Sequence, residues 1–164
     1  EFEVDYNVDA VYVVHGALGF TRRETDDGES SSAGTGKLSI KRIISAKTDV
    51  GLSLDRSLNT YIGSAGSSVD TRAELFATWR PTTKVELDMR WSQTRSEQSG
   101  PLDTLDAVRN RIDLFGTTEF TLRYEALQWL SVSAFARYEH RISTEKRYFY
   151  RASIAGVEIR GHLR

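Results

Sequence analysis

Several residue types and patterns are absent from this 164-residue chain, or scarce in it, and each absence excludes a class of structure. There is no cysteine, which excludes disulfide bonds and thiolate metal sites. Prolines number only two, and no segment approaches the 18 consecutive apolar residues of a membrane-spanning helix. Charged residues make up 27% of the chain, but both signs are mixed and the net charge is −1. That balance argues against a nucleic-acid partner, whose binding depends on neutralising phosphates.

What the chain does contain is a two-residue alternation of apolar and polar side chains. From 83 to 92 every second residue is apolar, and the residues between are charged or polar. This period is that of a strand whose two faces lie in different environments. The pattern predicts about nine strands, at roughly 1–6, 11–24, 37–44, 49–56, 70–79, 84–95, 109–124, 129–143 and 146–163, the last with a bulge near Gly156.

The predicted connections are of two kinds that alternate along the chain. Tight turns fall at 7–10, 45–48, 80–83 and 125–128, and polar links rich in glycine and serine span 25–36, 57–69 and 96–108. Short periplasmic turns and longer outer loops are typical of outer-membrane barrels. The sequence therefore predicts an all-β fold, an antiparallel up-and-down transmembrane β-barrel or part of a larger one, as a single domain over residues 1–164.

The apolar half of the alternation favours lipid over a soluble core. Its aromatic residues lie near strand ends, Trp79 and Tyr124 beside short turns and Trp91 and Tyr138 about ten residues further along. Aliphatic and small residues lie between these two levels, as in the aromatic girdles of membrane barrels. We expect these four residues at the lipid interface. A soluble β-barrel or sandwich is the alternative.

The polar half of the alternation predicts a charged lumen. Closing the hairpins at their tight turns would place Glu74 opposite Arg90 and Asp113 opposite Arg141, so that opposite charges pair across strands. The structural alternative is a small barrel that this paired network fills, since about eight strands close the interior and 16 or more leave a channel. The predicted lumen-lining residues are Arg72, Glu74, Lys84, Glu86, Asp88, Arg90, Arg111, Asp113, Glu119, Arg123, Arg137, Glu139 and Arg141.

No catalytic, metal or cofactor site is predicted. The three histidines lie on three separate predicted strands, and no spacing brings a nucleophile and a base together. The glycine-rich segment 33–37 departs from the phosphate-binding loop pattern, because Ser31 stands where glycine is needed and Leu38 where serine or threonine is needed. We therefore predict that the protein is not an enzyme and has no cofactor.

One stretch resembles a known family. Residues 77–87, which read ATWRPTTKVEL, form a strand that ends in Trp-Arg-Pro-Thr before the next strand begins. Together with 5–11 and 123–129 they resemble the hairpins of the outer-membrane beta-barrel porin 2 proteins of Gram-negative bacteria. The family's members are longer, so we interpret the chain as a fragment or short relative. The resemblance implies export of a polysaccharide together with other envelope export components.

The resulting prediction is a bacterial outer-membrane β-barrel that passes a polar solute or polysaccharide through a charge-lined lumen. Membrane lipids, further barrel strands and envelope export components are its expected partners, and nucleic acid is not. A filled barrel that anchors an envelope assembly and a soluble ligand-binding β-barrel are the alternatives.

Overall fold

The chain forms one antiparallel sheet in which each strand pairs with the strands before and after it in sequence. A computed structural model describes residues 2–9, 11–24, 30–60, 67–99 and 111–161. The strands are β1 (Phe2–Asp9), β2 (Tyr12–Glu24), β3 (Ser30–Ser45), β4 (Thr48–Thr60), β5 (Ser67–Thr82), β6 (Val85–Ser99), β7 (Arg111–Leu127), β8 (Leu130–Ser143) and β9 (Tyr150–Gly161). A 3₁₀ turn, Lys146–Tyr148, lies between β8 and β9. The predicted all-β, up-and-down architecture is confirmed, and in the described residues the sheet is open, with β1 and β9 at its two ends.

The short connections are two-residue turns that hydrogen bonds tie together. Residues 46–47, 83–84 and 128–129 form three of them. The Lys47 amide donates to the Ser45 hydroxyl at 3.1 Å, and the Lys84 amide donates to the Thr82 hydroxyl at 3.3 Å. The Arg80 amide donates to the Lys47 carbonyl at 2.7 Å, which joins one turn to the next. Hydroxyl groups that cap a turn in this way replace ladder bonds that the strands no longer make.

Several strands extend beyond their predicted ends. β3 begins at Ser30, so the glycine-rich segment 33–37 is part of a strand and not of a loop. β4 and β5 pair out to Thr60 and Ser67, through residues predicted as a link. The Asn59 amide donates to the Asp70 carboxylate at 2.8 Å in this extension. Polar cross-strand contacts therefore continue the hairpins where the apolar pattern has ended.

The registers of two hairpins differ from the predicted registers by two residues. Arg90 lies opposite Phe76, not Glu74, and Arg141 lies opposite Phe115, not Asp113. The hairpins close further along the chain than predicted, at the pairs Thr82–Val85 and Leu127–Leu130, and a register shift beside each turn then brings the difference to two residues. Because a two-residue slip leaves every side chain on its face, the predicted faces are unaffected.

The predicted bulge near Gly156 is absent. The β8–β9 register runs without a shift past the Phe135–Gly156 pair. A Cβ atom at position 156 would lie 2.7 Å from the Phe135 ring, so the glycine leaves room for that ring across the strand pair. A close approach of side chain to backbone, not an extra residue, explains the glycine here.

The burial of side chains in the sheet is the reverse of that in a soluble protein. Among the described side chains, Ala33 is the only buried apolar residue, whereas Ser92, Gln98, Arg111 and Asp113 are among the buried polar ones. Large apolar side chains lie exposed instead. Soluble proteins rarely expose a continuous apolar surface of this extent. The described side chains therefore form no soluble-type core, and the apolar face is suited to contact lipid.

The apolar face forms a band that crosses the strands obliquely. The middle of the band lies at Gly16 on β2 and at Val157 on β9. Paired residues followed from strand to strand, starting at Gly16, lead instead to Arg151 on β9, which is six residues from Val157. Six residues span about 20 Å along a strand, against about 34 Å across the strand spacings between β2 and β9. The strands are therefore tilted from the normal to the band by roughly 30°, near the roughly 35–45° of transmembrane barrels. No helix in the described part of the chain is long and apolar enough to cross a membrane.

Candidate lumen face

The side of the sheet opposite the apolar face, here called the polar face, carries the charged residues of the alternation. Twelve of the thirteen predicted lumen-lining residues lie within strands, and the registers of β4 to β9 place all twelve on this face. The thirteenth, Lys84, lies in the turn between β5 and β6. Asp88 accepts a hydrogen bond from the Thr78 hydroxyl at 2.6 Å. Whether the polar face lines a lumen is not tested by its geometry and stays a prediction.

Five charges of alternating sign cross neighbouring strands near the short turns. Asp49 on β4 lies 3.3 Å from the Lys41 ammonium on β3 and 3.1 Å from the Arg80 guanidinium. Glu86 on β6 lies 2.8 Å from Arg80 and 3.1 Å from Arg123 on β7. We call this row of five side chains the charge ladder. Each carboxylate contacts two cations, so the ladder holds the turn ends of five strands in one electrostatic network.

The middle of the polar face carries similar groups. Arg90 on β6 lies 3.4 Å from the Glu74 carboxylate on β5. Arg137 on β8 lies 2.8 Å from Glu119 and 3.3 Å from Glu139. The predicted Glu74–Arg90 contact therefore forms, but diagonally across the strand pair. Diagonal neighbours in an antiparallel pair are within reach of side chains as long as arginine.

The long-loop end of the polar face holds its most buried ion cluster. The Asp113 carboxylate lies 3.0 Å from Arg111 and 2.6 Å from Arg141, and its side chain is 4% exposed. Tyr148 of the 3₁₀ turn places its ring 4.1 Å from the Arg111 guanidinium and 5.2 Å from that of Arg141. Two cations therefore contact one aromatic ring and one carboxylate, which lowers the cost of burying them.

Cations are more exposed than carboxylates in the ion pairs of the polar face. Arg90 is 62% exposed and its partner Glu74 is 17% exposed; Arg80 is 44% exposed and Asp49 is 13% exposed. The same order holds for the pairs that Arg72, Arg123, Arg137 and Arg141 make. Arginine has a longer side chain than aspartate or glutamate, so its guanidinium covers the carboxylate. A solute at this face would meet mainly guanidinium groups.

The four predicted interface aromatics all lie on the apolar face. Trp79 and Tyr124 lie near the short turns, and both are about half exposed. Trp91 and Tyr138 share one hydrogen-bonded row, on either side of Thr118. Their position at the level of lipid headgroups is not tested and stays a prediction.

Three contributors to the polar face are not among the predicted lumen-lining residues. Lys41 and Asp49 belong to the charge ladder, and the alternation in β3 and β4 was the signal that could have found them, since both lie on the polar parity. Tyr148 had no such signal, because a 3₁₀ turn interrupts the predicted last strand. In the described ranges, no group of three or more histidine, aspartate or glutamate residues is arranged to hold a metal ion.

Comparisons with known proteins support the fold. No family model and no curated protein matches the chain. A solved structure does match: OmpTdeltaL8, a loop L8 deletion mutant of OmpT, an outer membrane protein of Vibrio cholerae. The TM-score is 0.60 and the sequence identity is 12%, over 96% of this chain and 52% of that chain. This chain thus spans about half the length of the matched chain.

The chain has the fold of a bacterial outer-membrane β-barrel. This match confirms the predicted fold, and the exposed apolar face suits the predicted outer-membrane location and contact with membrane lipids. The narrower resemblance to the porin 2 proteins is not confirmed, since no family model matches.

The prediction that the protein is not an enzyme needs correction. It was based on the absence of a recognisable catalytic spacing in the sequence. The structural match is to OmpT, and a likeness at 12% identity shows a shared fold alone. A shared barrel fold does not determine whether a protein is catalytic. The prediction is therefore withdrawn.

Proposed function

We propose that this chain forms the wall of an outer-membrane pore for polar solutes, with the polar face lining the lumen and a preference for anions. The observation that carries the proposal is the exposure of guanidinium groups above their carboxylate partners, as in the Arg90–Glu74 pair. Rings of exposed arginine favour anions in a pore. Because the covered carboxylates still offset much of this charge, the preference is modest.

The filled barrel is the structural alternative, and the number of strands separates the two. A barrel of about eight strands is closed by its own side chains, whereas a wider one leaves a channel. The nine described strands form an open sheet, so the proposal includes further strands, from elsewhere in the protein or from another chain.

The cargo is proposed only as a class. The resemblance to the porin 2 proteins implies a polysaccharide, and no family model supports it. Charges of both signs along the polar face suit small anions and zwitterions, which can exchange from one guanidinium to the next.

Ion selectivity in planar lipid bilayers tests this function. Under a potassium chloride gradient, the reversal potential of the protein should give a chloride-to-potassium permeability ratio above one. The double variant Arg72→Gln/Arg90→Gln removes two exposed cations of the polar face. The ratio should then fall toward one or below.

A matched control lies on the other face. Arg42 is an exposed arginine of the apolar face, and Arg42→Gln should leave the reversal potential unchanged. Absence of any steady current would instead support the filled barrel. A cation preference in the unmodified protein would overturn the proposed anion preference.

A further inference from the structure

Arginines on the apolar face are concentrated at its long-loop edge. Arg22, Arg56, Arg95 and Arg151 have the parity of the apolar band, on β2, β4, β6 and β9 respectively. All four are exposed. We call them the basic rim. At the short-turn edge of the same face, the described side chains include one arginine, Arg42.

The tilt of the strands places the basic rim at one level. Measured from the oblique midline of the band, the four arginines lie about four to six residues toward the long loops, or roughly 11–17 Å along the band's normal. The apolar band of outer-membrane barrels is about 25 Å tall, so its edge lies about 12 Å from the midline. The basic rim therefore lies at the headgroup level of the leaflet on the long-loop side.

Charge at this edge is not balanced as it is on the polar face. Among the described side chains on the apolar face of β2 to β9, the only acidic one is Glu97, which lies 3.0 Å from Arg95. Arg56 donates to the Thr71 hydroxyl at 3.0 Å and, like Arg151, makes no ion pair within the described part of the chain. The edge thus presents an excess of positive charge to its surroundings.

Two members of the basic rim are spaced to share one headgroup. Arg56 and Arg95 lie in the same hydrogen-bonded row on either side of Thr71. Two strand spacings separate them by about 10 Å, a distance that long guanidinium side chains can bridge around a headgroup with more than one phosphate. Phosphate suits arginine because guanidinium donates two parallel hydrogen bonds to it.

We propose that the basic rim binds lipids whose headgroups carry phosphate, in the leaflet on the long-loop side. The acyl chains would lie along the apolar band, and the phosphates would contact Arg56, Arg95 and Arg151. This inference depends on the outer-membrane fold and does not depend on the proposed pore, since it concerns the other face of the sheet.

The test compares two lipids and one triple variant. The detergent-solubilised protein is titrated with a multiply acylated, diphosphorylated glycolipid and with the same glycolipid after its phosphates are removed, and binding is read by native mass spectrometry. The unmodified protein should retain the phosphorylated form. Arg56→Gln/Arg95→Gln/Arg151→Gln should weaken its binding by about fivefold per arginine, the attraction typical of one basic residue at an anionic lipid surface.

A control variant separates the effect of the basic rim from the effect of the protein's total charge. Lys37→Gln/Arg90→Gln/Arg160→Gln removes the same charge from the polar face and should leave binding unchanged.

Lysine at the three rim positions should restore most of the binding. Inorganic phosphate alone, at the same concentration, should not displace the lipid. The proposal would be overturned if the protein retained the phosphorylated and dephosphorylated glycolipids equally. It would also be overturned if the triple glutamine variants of the basic rim and of the polar face lost the same amount of binding.

Discussion

Charged side chains are arranged differently on the two faces of this sheet. On the polar face, carboxylates and cations alternate across the strands, as Asp49, Arg80 and Glu86 do, from the short turns to the long-loop end. On the apolar face, apolar residues fill the middle and arginines lie toward the edges. The difference shows that a charge is placed where it finds either a partner or water. Neither exists in the middle of a lipid layer.

The largest expected effect comes from introducing one charge into the middle of the apolar face. Leu122→Arg would place a guanidinium in the apolar band, where the leucine is now 46% exposed. We expect the free energy of unfolding from lipid vesicles to fall by about 2–4 kcal/mol, the cost of arginine at the midplane of a barrel's lipid face. Denaturant titration followed by tryptophan fluorescence measures it.

The neighbouring residue supplies the control. Thr121→Arg makes the same change one residue away, on the polar face beside Asp88. Its cost should be less than about 1 kcal/mol, because water and a carboxylate are within reach. Equal costs for both variants would mean that the two faces do not differ in environment.

A smaller effect should follow from breaking the buried cluster of the polar face. Asp113→Asn removes the carboxylate that lies between Arg111 and Arg141 and leaves two guanidinium groups without their counter-charge. We expect a loss of about 2 kcal/mol, less than for a fully buried pair because Arg141 is partly exposed.

The comparison variant lies on the other face. Glu97→Gln breaks the exposed pair with Arg95, and the free energy of unfolding should change by less than about 1 kcal/mol. If Asp113→Asn is as mild as Glu97→Gln in the same titration, the cluster is not buried as described.

The smallest effect tests how tightly the polar face is packed in mid-strand. Gly156→Ala would bring a Cβ atom to 2.7 and 2.8 Å from the Phe135 ring. The ring must move, and we expect a loss of about 1 kcal/mol in the same titration.

Gly161→Ala is the matched change, since a Cβ atom there would meet nothing within 4 Å. A null or stabilising effect is expected at that position. A stabilising effect at Gly156 would show that the Phe135 ring does not cover it.

Faces and strand number could be predicted from the sequence, because each depends on a period of two that every strand repeats. In a strand such as β6, any window of a few residues shows which side chains share a face. Because a two-residue slip preserves parity, even a wrong register left Glu74 and Arg90 in contact.

Strand ends and registers could not be predicted as well. The pairing of β3 from Ser30 onward depends on polar residues and glycines that have no apolar pattern. Register shifts beside the turns depend on backbone geometry that the residue types do not specify. The contact of Tyr148 with Arg111 arises from a 3₁₀ turn at the end of β8, which the alternation does not signal.

The central claim is that one face of the sheet contacts lipid and the other contacts water. Because the chain has no cysteine, single cysteines at consecutive positions 117 to 124 of β7 give an unambiguous readout in lipid vesicles. Cysteines at 117, 119, 121 and 123 should react with a water-soluble maleimide. A fluorophore attached at 118, 120, 122 or 124 should instead be quenched by brominated lipid. Uniform reactivity along the strand, or the opposite parity, would contradict the account.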